Sequence, residues 1–186
     1  MKIDSALLAF APCGMQHLDD ILALQERAFA DLPDASWLRR NSREAFALCL
    51  QPPHTALGAF YEGRLIAFAI LFLGGDGKEN LGLDMTMPPE DLSRVANYKI
   101  VIADPAYRGN RLQIRLGQQL EQIATELGIH TLCATCAPDN SYSLRNLLQL
   151  GYSIDKTLFK YGGQARYLLC KAIATQPETQ LAKAAK

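Results

Sequence analysis

The stretch IVIADPAYRGNRLQIRLGQQL, Ile100 to Leu120, determines how the whole chain is interpreted. An apolar run passes through Pro105 into a loop that contains Gly109, and TLCATCA, residues 131–137, is a second apolar run. Between the two runs, apolar residues recur at helical spacing and end at a glycine, which is typical of a helix and its left-handed stop: Leu112, Leu116, Leu120, Ile123, Leu127 and Gly128. The pattern predicts a crossover of strand, loop, helix and strand, with two parallel strands and the helix on one face.

The loop of this crossover has the features of an anion-binding site. Free backbone N–H groups at a helix N-terminus, together with the positive end of the helix dipole, attract anions. Arg108 and Arg111 lie on either side of Gly109, which lets the backbone approach a phosphate closely, and Arg115 follows one turn later. These residues suit a diphosphate. From the residues alone, a surface loop with solvated arginines remains the alternative.

The sequence before residue 74 predicts a short strand, two helices and a hairpin. ALLAF, residues 6–10, indicates the strand, and helical spacing from Leu18 to Phe29 predicts the first helix. Ser42 is a suitable N-cap for the second helix. Two aromatic-rich apolar runs then flank Glu62-Gly63, which is typical of a β-hairpin.

The remaining sequence completes an α/β pattern. Residues 74–95 lose apolar periodicity and predict a long loop, whereas NYKIVIAD, residues 97–104, predicts a strand buried on both faces. A further helix is expected from about Asn140 to Gly151, and two final strands are joined by Gly162-Gly163.

Composition limits the class of protein. The 186 residues are 49% hydrophobic and 20% charged, and 19 Lys plus Arg balance 19 Asp plus Glu, so the chain is expected to be one soluble domain over residues 1–174 with a polar tail at 175–186. A zero net charge argues against a general nucleic-acid binder, and no apolar stretch is long enough for a membrane span. Five cysteines without a disulfide spacing, and no secretion signal, predict reduced thiols in a cytoplasmic protein.

Two chemical motifs are discounted. His130, Cys133 and Cys136 have the spacing H-x-x-C-x-x-C, but the two cysteines lie three apart on a predicted strand and should face opposite sides, so no metal site is expected. Gly77-Lys78 in GGDGKEN is followed by Glu79 where a P-loop needs Ser or Thr, so it is interpreted as a turn.

Two motifs together resemble those of GNAT-type N-acetyltransferases, members of the GNAT superfamily. Ile100 to Leu120 is similar to the acetyl-CoA-binding motif V-x-P-x-x-R-G-x-G-x-G/A that leads from a strand into a helix. APDNSYSLRNLLQLGYSI, residues 137–154, resembles the next motif through Asn140, Ser143, Gly151 and Tyr152. The order of elements also agrees over about residues 5–173, and KYGGQARYLLCK, residues 160–171, resembles an uncharacterised bacterial branch of the family.

The resemblance implies an α/β (α+β) fold of the acyl-CoA N-acyltransferase type. Its sheet would be mixed, mostly antiparallel and six- to seven-stranded, flanked by about four helices. The implied reaction is acetyl transfer from acetyl-CoA to a primary amine by direct attack, with no metal. The pantetheine arm would pair with the backbone of Ile102 and Ala103, where the fourth and fifth strands separate, and Asn140 would hold it from the other side, with Ser143 on the following helix. The pyrophosphate would take backbone N–H groups from Arg108, Gly109, Asn110, Arg111, Leu112 and Gln113.

The chain departs from the family pattern at three positions. Arg111 replaces a Gly, so its side chain must point away from the diphosphate or contact it, and Gln113 replaces a final Gly or Ala. Leu147 occupies the position where many members have the Tyr that protonates the leaving thiolate. Tyr142 is the candidate substitute, with Tyr152 and Tyr161 as weaker ones, and Asp84, Glu79 or a water would deprotonate the amine.

The sequence does not decide whether the acceptor is a small-molecule amine or a peptide amine. In the family it is shaped by the segments that correspond here to residues 29–53, 74–94 and 161–166, and these show no dominant charge, so the sequence favours neither a polyamine nor an anionic acceptor. Trp37 either lines this pocket or anchors its loop. A homodimer through the C-terminal strands is also left open. The rival functions are a non-catalytic CoA-binding or protein-interaction domain, and an interaction module that keeps only the architecture.

Overall fold

A computed structural model describes residues 1–174, and the predicted polar tail at 175–186 lies outside them. Within this range four α-helices flank seven strands. The helices are α1 (Leu18–Ala30), α2 (Arg43–Cys49), α3 (Leu112–Glu126) and α4 (Ser141–Gln149). The strands are β1 (Leu8–Pro12), β2 (Thr55–Tyr61), β3 (Arg64–Phe72), β4 (Val95–Ala103), β5 (Thr131–Cys136), β6 (Ser153–Lys160) and β7 (Gln164–Ala172).

The strands form one mixed sheet in the order β1-β2-β3-β4-β5-β7-β6. Among residues 1–174, β4 and β5 are the parallel pair, and every other neighbouring pair is antiparallel. The predicted crossover is confirmed, because α3 connects these two parallel strands and ends at Gly128, whose φ is 71°. The predicted α/β fold is therefore confirmed, with a seven-stranded, mostly antiparallel sheet in this part of the chain.

The sheet has a core on each face because side chains alternate along a strand. On β3, Ala67, Ala69 and Leu71 pack with α3, whereas Phe68 and Ile70 pack with α1 and α2. Ser42 caps α2 as predicted, by accepting a hydrogen bond from the backbone N–H of Ala45 at 3.2 Å. Cys133 and Cys136 face opposite sides of β5, as expected for residues three apart on a strand.

The prediction of a fourth strand buried on both faces is wrong over its second half. Residues 95–98 are buried, but 99–101 are only half-buried. Ala69 and Ile70 of β3 pair with Val101 and Lys99, so Ile100 is an extra residue, with a φ of 48°, in a β-bulge. A bulge bends its strand and disrupts the local ladder.

Pairing between β4 and β5 ends early. It runs from Val95 with Thr131 to Asn97 with Cys133, although both strands continue. The two strands therefore separate after Asn97, and a gap opens between the end of β4 and the end of β5.

Smaller differences lie at the two edges of the sheet. The first strand begins at Leu8 instead of Ala6, because Ser5–Leu7 form a 3-10 turn capped by the Asp4 side chain. At the other edge, β6 exposes Phe159 to 76%, and the homodimer through these strands stays a prediction. None of the helices in residues 1–174 combines the length and apolar character needed to cross a membrane.

Candidate active site

A cleft of about 900 Å³ enters the molecule where β4 and β5 separate. Volumes of this size are usual for small-molecule sites. One end is formed by the start of α3 and by α4. The opposite end, called the acceptor end below, is formed by loop and strand residues that carry mostly cationic side chains: Arg39, Lys78, Glu79, Lys99, Lys160, Tyr161 and Arg166.

The loop before α3 has the backbone geometry of a glycine-rich turn although an arginine replaces one glycine. Gly109 has a φ of 84°, and Arg111, the N-cap of α3, has a φ of 56° in the left-handed region. Glycine adopts this region without steric cost, whereas other L-residues pay about 1 kcal/mol or more. The substitution therefore keeps the turn that aims the N–H groups of the first turn of α3 into the cleft and adds a cation beside them.

Arg108 and Leu112 also line the cleft, but Asn110 does not. The Arg108 guanidinium pairs with Asp31 at the end of α1, and both side chains are about half exposed. The Asn110 amide instead donates to the carbonyls of Met1 and Tyr107 and accepts from the Ile3 N–H. Any role of Asn110 toward a diphosphate thus falls to its backbone.

Gln113 links the two helices that border this end. Its side chain donates to Ser143 Oγ at 3.3 Å and accepts from Asn146 Nδ2 at 3.0 Å, while its carbonyl accepts from the Tyr98 hydroxyl at 2.8 Å. The Gln113 side chain therefore occupies space between α3 and α4 that a Gly or Ala would leave open, and it fixes the distance between these helices.

Asn140 holds the start of α4 and faces the cleft. Its Oδ1 accepts from the Ser143 N–H at 3.0 Å, which makes it the N-cap of α4. In residues 1–174 the Asn140 Nδ2 has no hydrogen-bond partner. Every fully buried side-chain nitrogen in this range has a partner, so Nδ2 is not fully buried and is open to a ligand. With Ile102 and Ala103 across the gap, the predicted pantetheine-contacting residues lie together.

Only some of the predicted catalytic residues line the cleft. Tyr142 lies at the rim with 72% exposure, and Tyr161 lines the acceptor end. Asp84 is not among the cleft residues, and its carboxylate accepts from Lys160. Tyr152 is buried away from the cleft, and burial raises the pKa of its phenol well above the usual range. Leu147 lines the cleft as a buried apolar side chain.

Glu79 carries the carboxylate that faces the acceptor end. The hydrogen bond from Lys99 is the main cause that lowers the pKa of Glu79, and Arg39, whose Nη1 lies 3.8 Å from Glu79 Oε1, adds to it. Trp37 lines this part of the cleft, which supports the first of its two predicted roles.

Sequence reasoning missed four cations of the acceptor end: Arg39, Lys99, Lys160 and Arg166. A signal was present for Arg166, because it alternates with Leu168 on β7 and so shares the inward face of an apolar strand. Lys99 also lies within a strand predicted to be buried, whereas Arg39 and Lys160 are ordinary surface residues in the sequence pattern.

Cys136 is the cysteine that lines the cleft in the part of the chain that the structure describes. Burial raises the pKa of Cys136, although Ser143 and Arg166 act in the opposite direction. The protonated thiol is a poor nucleophile. In residues 1–174 no group of three His, Cys, Asp or Glu side chains is placed to hold a metal ion.

Comparisons with known proteins agree with this geometry. The family model of the acetyltransferase (GNAT) family matches residues 18–152. No curated protein matches the chain. The chain belongs to the GNAT family of acetyltransferases, since that match covers most of its length.

Solved structures share the fold at low sequence identity. The ribosomal-protein-S18-alanine N-acetyltransferase of Escherichia coli is 16% identical with a TM-score of 0.69, and 92% of this chain aligns with 97% of that one. An N-acetyltransferase of Staphylococcus aureus Mu50 is also 16% identical, with a TM-score of 0.66 and coverage of 89% and 97%. The Salmonella typhimurium protein yncA, solved with its cofactor acetyl-CoA, is 15% identical with a TM-score of 0.68 and coverage of 91% and 96%.

The left-handed backbone at Arg111 allows the effect of the side-chain charge to be tested separately from the effect of backbone strain. Arg111→Ala removes the charge and keeps the strained turn, whereas Arg111→Gly removes the charge and relieves the strain. Both variants should bind acetyl-CoA about tenfold more weakly, the equivalent of one charge-assisted hydrogen bond. The melting temperature of the Gly variant should exceed that of the Ala variant by about 2–4 °C. Unchanged affinity in both variants would show that the side chain points away from the diphosphate.

Proposed function

We propose that this protein transfers the acetyl group of acetyl-CoA to the primary amine of a small-molecule or peptide acceptor. The observation that carries the proposal is the gap between β4 and β5 after Asn97, with the α3 N-terminus and its arginines at one end. This arrangement suits a ligand with an extended amide arm and a diphosphate, because unpaired strand backbone and helix N–H groups are available to each part.

Each part of acetyl-CoA then has residues that fit it. Arg108, Gly109, Arg111, Leu112 and Gln113 face the diphosphate, together with the backbone of Asn110. Ile102 and Ala103 offer backbone to the pantetheine arm from β4, and Asn140 offers Nδ2 from the start of α4, one turn before Ser143.

The transfer step is direct. The amine nitrogen of the acceptor attacks the thioester carbonyl, the C–N bond forms, the C–S bond breaks, and the thiolate of CoA leaves while the nitrogen loses a proton. A route through an acetylated cysteine is disfavoured, because burial raises the pKa of Cys136 and keeps this thiol protonated. Holding amine and thioester together supplies much of the rate enhancement.

Proton transfer does not need a strong base on the protein. Glu79 is a weak base, since Lys99 and Arg39 lower its pKa, and Asp84 is paired with Lys160. The surrounding cations lower the pKa of a bound ammonium group instead, which favours the neutral, nucleophilic amine. For the leaving thiolate, Tyr142 and Tyr161 are the candidate acids.

All five cysteines are free thiols, and four of them are buried. Free thiols persist in a reducing compartment, which supports our proposal of a cytoplasmic protein.

A second candidate function is a CoA-binding domain without catalysis. It is favoured by Leu147, which is 2% exposed and apolar at the position where many family members carry a proton donor. Turnover of any amine would exclude it.

Release of CoA in the presence of a panel of amines tests the proposed function. We expect acetyl-CoA to raise the melting temperature and at least one amine to release CoA at a rate above hydrolysis. Tyr142→Phe and Tyr161→Phe, which remove only a phenol oxygen, should show which acid contributes through a lower kcat. A melting temperature that does not respond to millimolar acetyl-CoA would overturn the proposal.

A further inference from the structure

We propose that the acceptor is a small amine that also carries a carboxylate, and that Arg166 binds this carboxylate. The proposal rests on the acetyl transfer proposed above and names the substrate class of the same cleft. The sequence favours no charge on the acceptor, and the proposal of a carboxylate comes from how the charged residues are placed in space.

The acceptor end has an excess of positive charge. Five cations line it, and Glu79 is the carboxylate that lines it with them. Glu79 is shared by Lys99 and Arg39, and Asp84 pairs with Lys160 from outside the cleft. Lys78 and Arg166 have no carboxylate within 4.0 Å in the part of the chain that the structure describes.

Arg166 is the cation that most needs an anion. The residue is 4% exposed, yet its guanidinium donates only to neutral oxygens: the carbonyl of Ala165 at 2.8 Å, the carbonyl of Ser36 at 2.6 Å and Gln164 Oε1 at 2.6 Å. A buried charge without a counter-charge is costly, and a planar carboxylate is the natural partner of a guanidinium. Bound in the cleft, a substrate carboxylate would supply the missing charge.

Arg166 also keeps donors for such a ligand. A guanidinium has five N–H groups, and Arg166 donates three hydrogen bonds from its two terminal nitrogens. Within residues 1–174 the Arg166 Nε has no hydrogen-bond partner. Every fully buried side-chain nitrogen in this range has a partner, so Nε is not fully buried and is open to solvent. Asp34 is exposed, and hydrogen bonds with Ser36 are the main cause that lowers its pKa. Arg166 is the smallest of the causes, so Asp34 does not serve as the counter-charge of Arg166.

The position of Arg166 suits an amine that must reach the gap between β4 and β5. Its neighbour Tyr167 pairs with Cys136 at the end of β5, so Arg166 lies one residue beyond that pair. Tyr161 lies between the two arginines, with guanidinium carbons of Arg39 and Arg166 at 4.9 and 5.8 Å from its ring centroid, and its hydroxyl is 3.1 Å from Thr135 Oγ1. A carboxylate on Arg166 would therefore leave the amine of a compact molecule near the gap. In a peptide the α-carboxylate of the N-terminal residue is part of the first peptide bond, so a peptide N-terminus lacks this group.

The test compares each amino acid with its own amide and its decarboxylated amine, for example tyrosine, tyrosinamide and tyramine. CoA release is measured with the full chain and saturating acetyl-CoA. For the preferred side chain, kcat/KM for the amino acid should exceed that for the amide and the amine by at least about tenfold, as expected for one charge-assisted hydrogen bond. The amine of an amide is less basic, so basicity favours the amide and cannot produce this result.

Variants assign the preference to Arg166. Arg166→Gln should abolish the preference for the carboxylate mainly through KM, while the acetyl-CoA-induced thermal shift remains. Because Arg166 also holds the loop at Ser36, Lys78→Gln on the exposed side of the same end is a second variant, expected to weaken the preference about threefold. Lys156→Gln, on β6 and outside the cleft, is the matched control and should change nothing.

Several results would overturn the inference. They are a panel in which no amino acid exceeds its amide, a preference for peptide N-termini, or a preference for aminophosphonates over the matching amino acids. If acetyl-CoA still stabilises the protein in those cases, the proposed transferase function stands. If acetyl-CoA gives no thermal shift, that function fails first.

Discussion

Arg108→Glu is expected to abolish the thermal stabilisation by acetyl-CoA that we expect for the wild-type protein. The guanidinium faces the cleft beside the N-terminus of α3, and Glu would place a negative charge toward the diphosphate. Acetyl-CoA at 100 times its Kd should stabilise the wild type by about 2.7 kcal/mol, which corresponds to about 5–10 °C for a domain of this size. In the variant the shift should fall below about 1 °C.

The fold of Arg108→Glu should remain intact. Arg108 and its partner Asp31 have side-chain exposures of 48% and 52%, and an exposed ion pair contributes only about 0.2–1 kcal/mol. The melting temperature without ligand should therefore drop by no more than about 4 °C.

Arg40→Glu is the matched control. Arg40 also forms a half-exposed ion pair, with Glu26, but it does not line the cleft. Differential scanning fluorimetry of both variants should show loss of the acetyl-CoA shift only in Arg108→Glu. An unchanged shift in Arg108→Glu would remove the diphosphate assignment, and loss in both variants would point to a general charge effect.

Local signals explain why much of the fold was predictable. Gly128 follows a helical apolar stripe, Ser42 precedes a helix, and Glu62-Gly63 separates two apolar runs; each signal acts within a few residues of the feature it determines. The gap between β4 and β5 has no such signal. NYKIVIAD, residues 97–104, shows no turn or break residue at Ile100, and the bulge there depends on how β3 pairs with this strand.

The charge of the acceptor end was unpredictable for a different reason. The acceptor segments contain acids and bases in similar numbers, but only their side chains on the cleft face matter. Arg39, Lys78 and one acid, Glu79, face the acceptor end, whereas four acids of the same segments do not: Asp76, Asp84, Glu90 and Asp91. Lys99 and Lys160 join them from strands outside those segments. Only the three-dimensional arrangement separates the two faces.

The loop before α3 could be predicted from the sequence only in part. The arginine at position 111 departs from the glycine of the motif, and the sequence alone does not say whether the turn survives. In the structure Arg111 has a left-handed φ of 56°, a conformation that glycine adopts without steric cost, so the departure adds a charge to a backbone that would also suit glycine.

Asp104→Ala is expected to lower the stability of the protein strongly. The Asp104 side chain is 5% exposed, and its Oδ2 accepts from Arg27 of α1 at 2.9 Å and from Arg64 of β3 at 3.5 Å. Its Oδ1 accepts from the Ala106 N–H at 3.1 Å and so caps the turn that leads to the loop proposed to bind the diphosphate. One carboxylate thus ties α1, β3 and this loop together.

The loss should be about 2–4 kcal/mol of unfolding free energy. Removing a cap costs about 0.5–2 kcal/mol, and removing a charge-assisted hydrogen bond costs about 1.5–3 kcal/mol. The cost stays below that of a fully buried ion pair, because the Arg27 and Arg64 side chains are 37% and 59% exposed and can be rehydrated. The melting temperature should fall by about 5–15 °C.

Two variants separate the roles of Asp104. Asp104→Asn keeps an oxygen that can accept from Ala106 and removes the charge, so it should lose about half as much stability. Asp155→Ala removes a half-exposed carboxylate that pairs with Lys156 on β6 and should change the free energy of unfolding by less than about 0.5 kcal/mol. Urea denaturation measures the stability of all three variants, and calorimetry with acetyl-CoA then follows at a temperature where each variant is folded.

Because the loop from Pro105 to Arg111 loses its anchor, Asp104→Ala should bind acetyl-CoA more weakly even when fully folded. Wild-type affinity in that variant would mean that the loop keeps its path without Asp104.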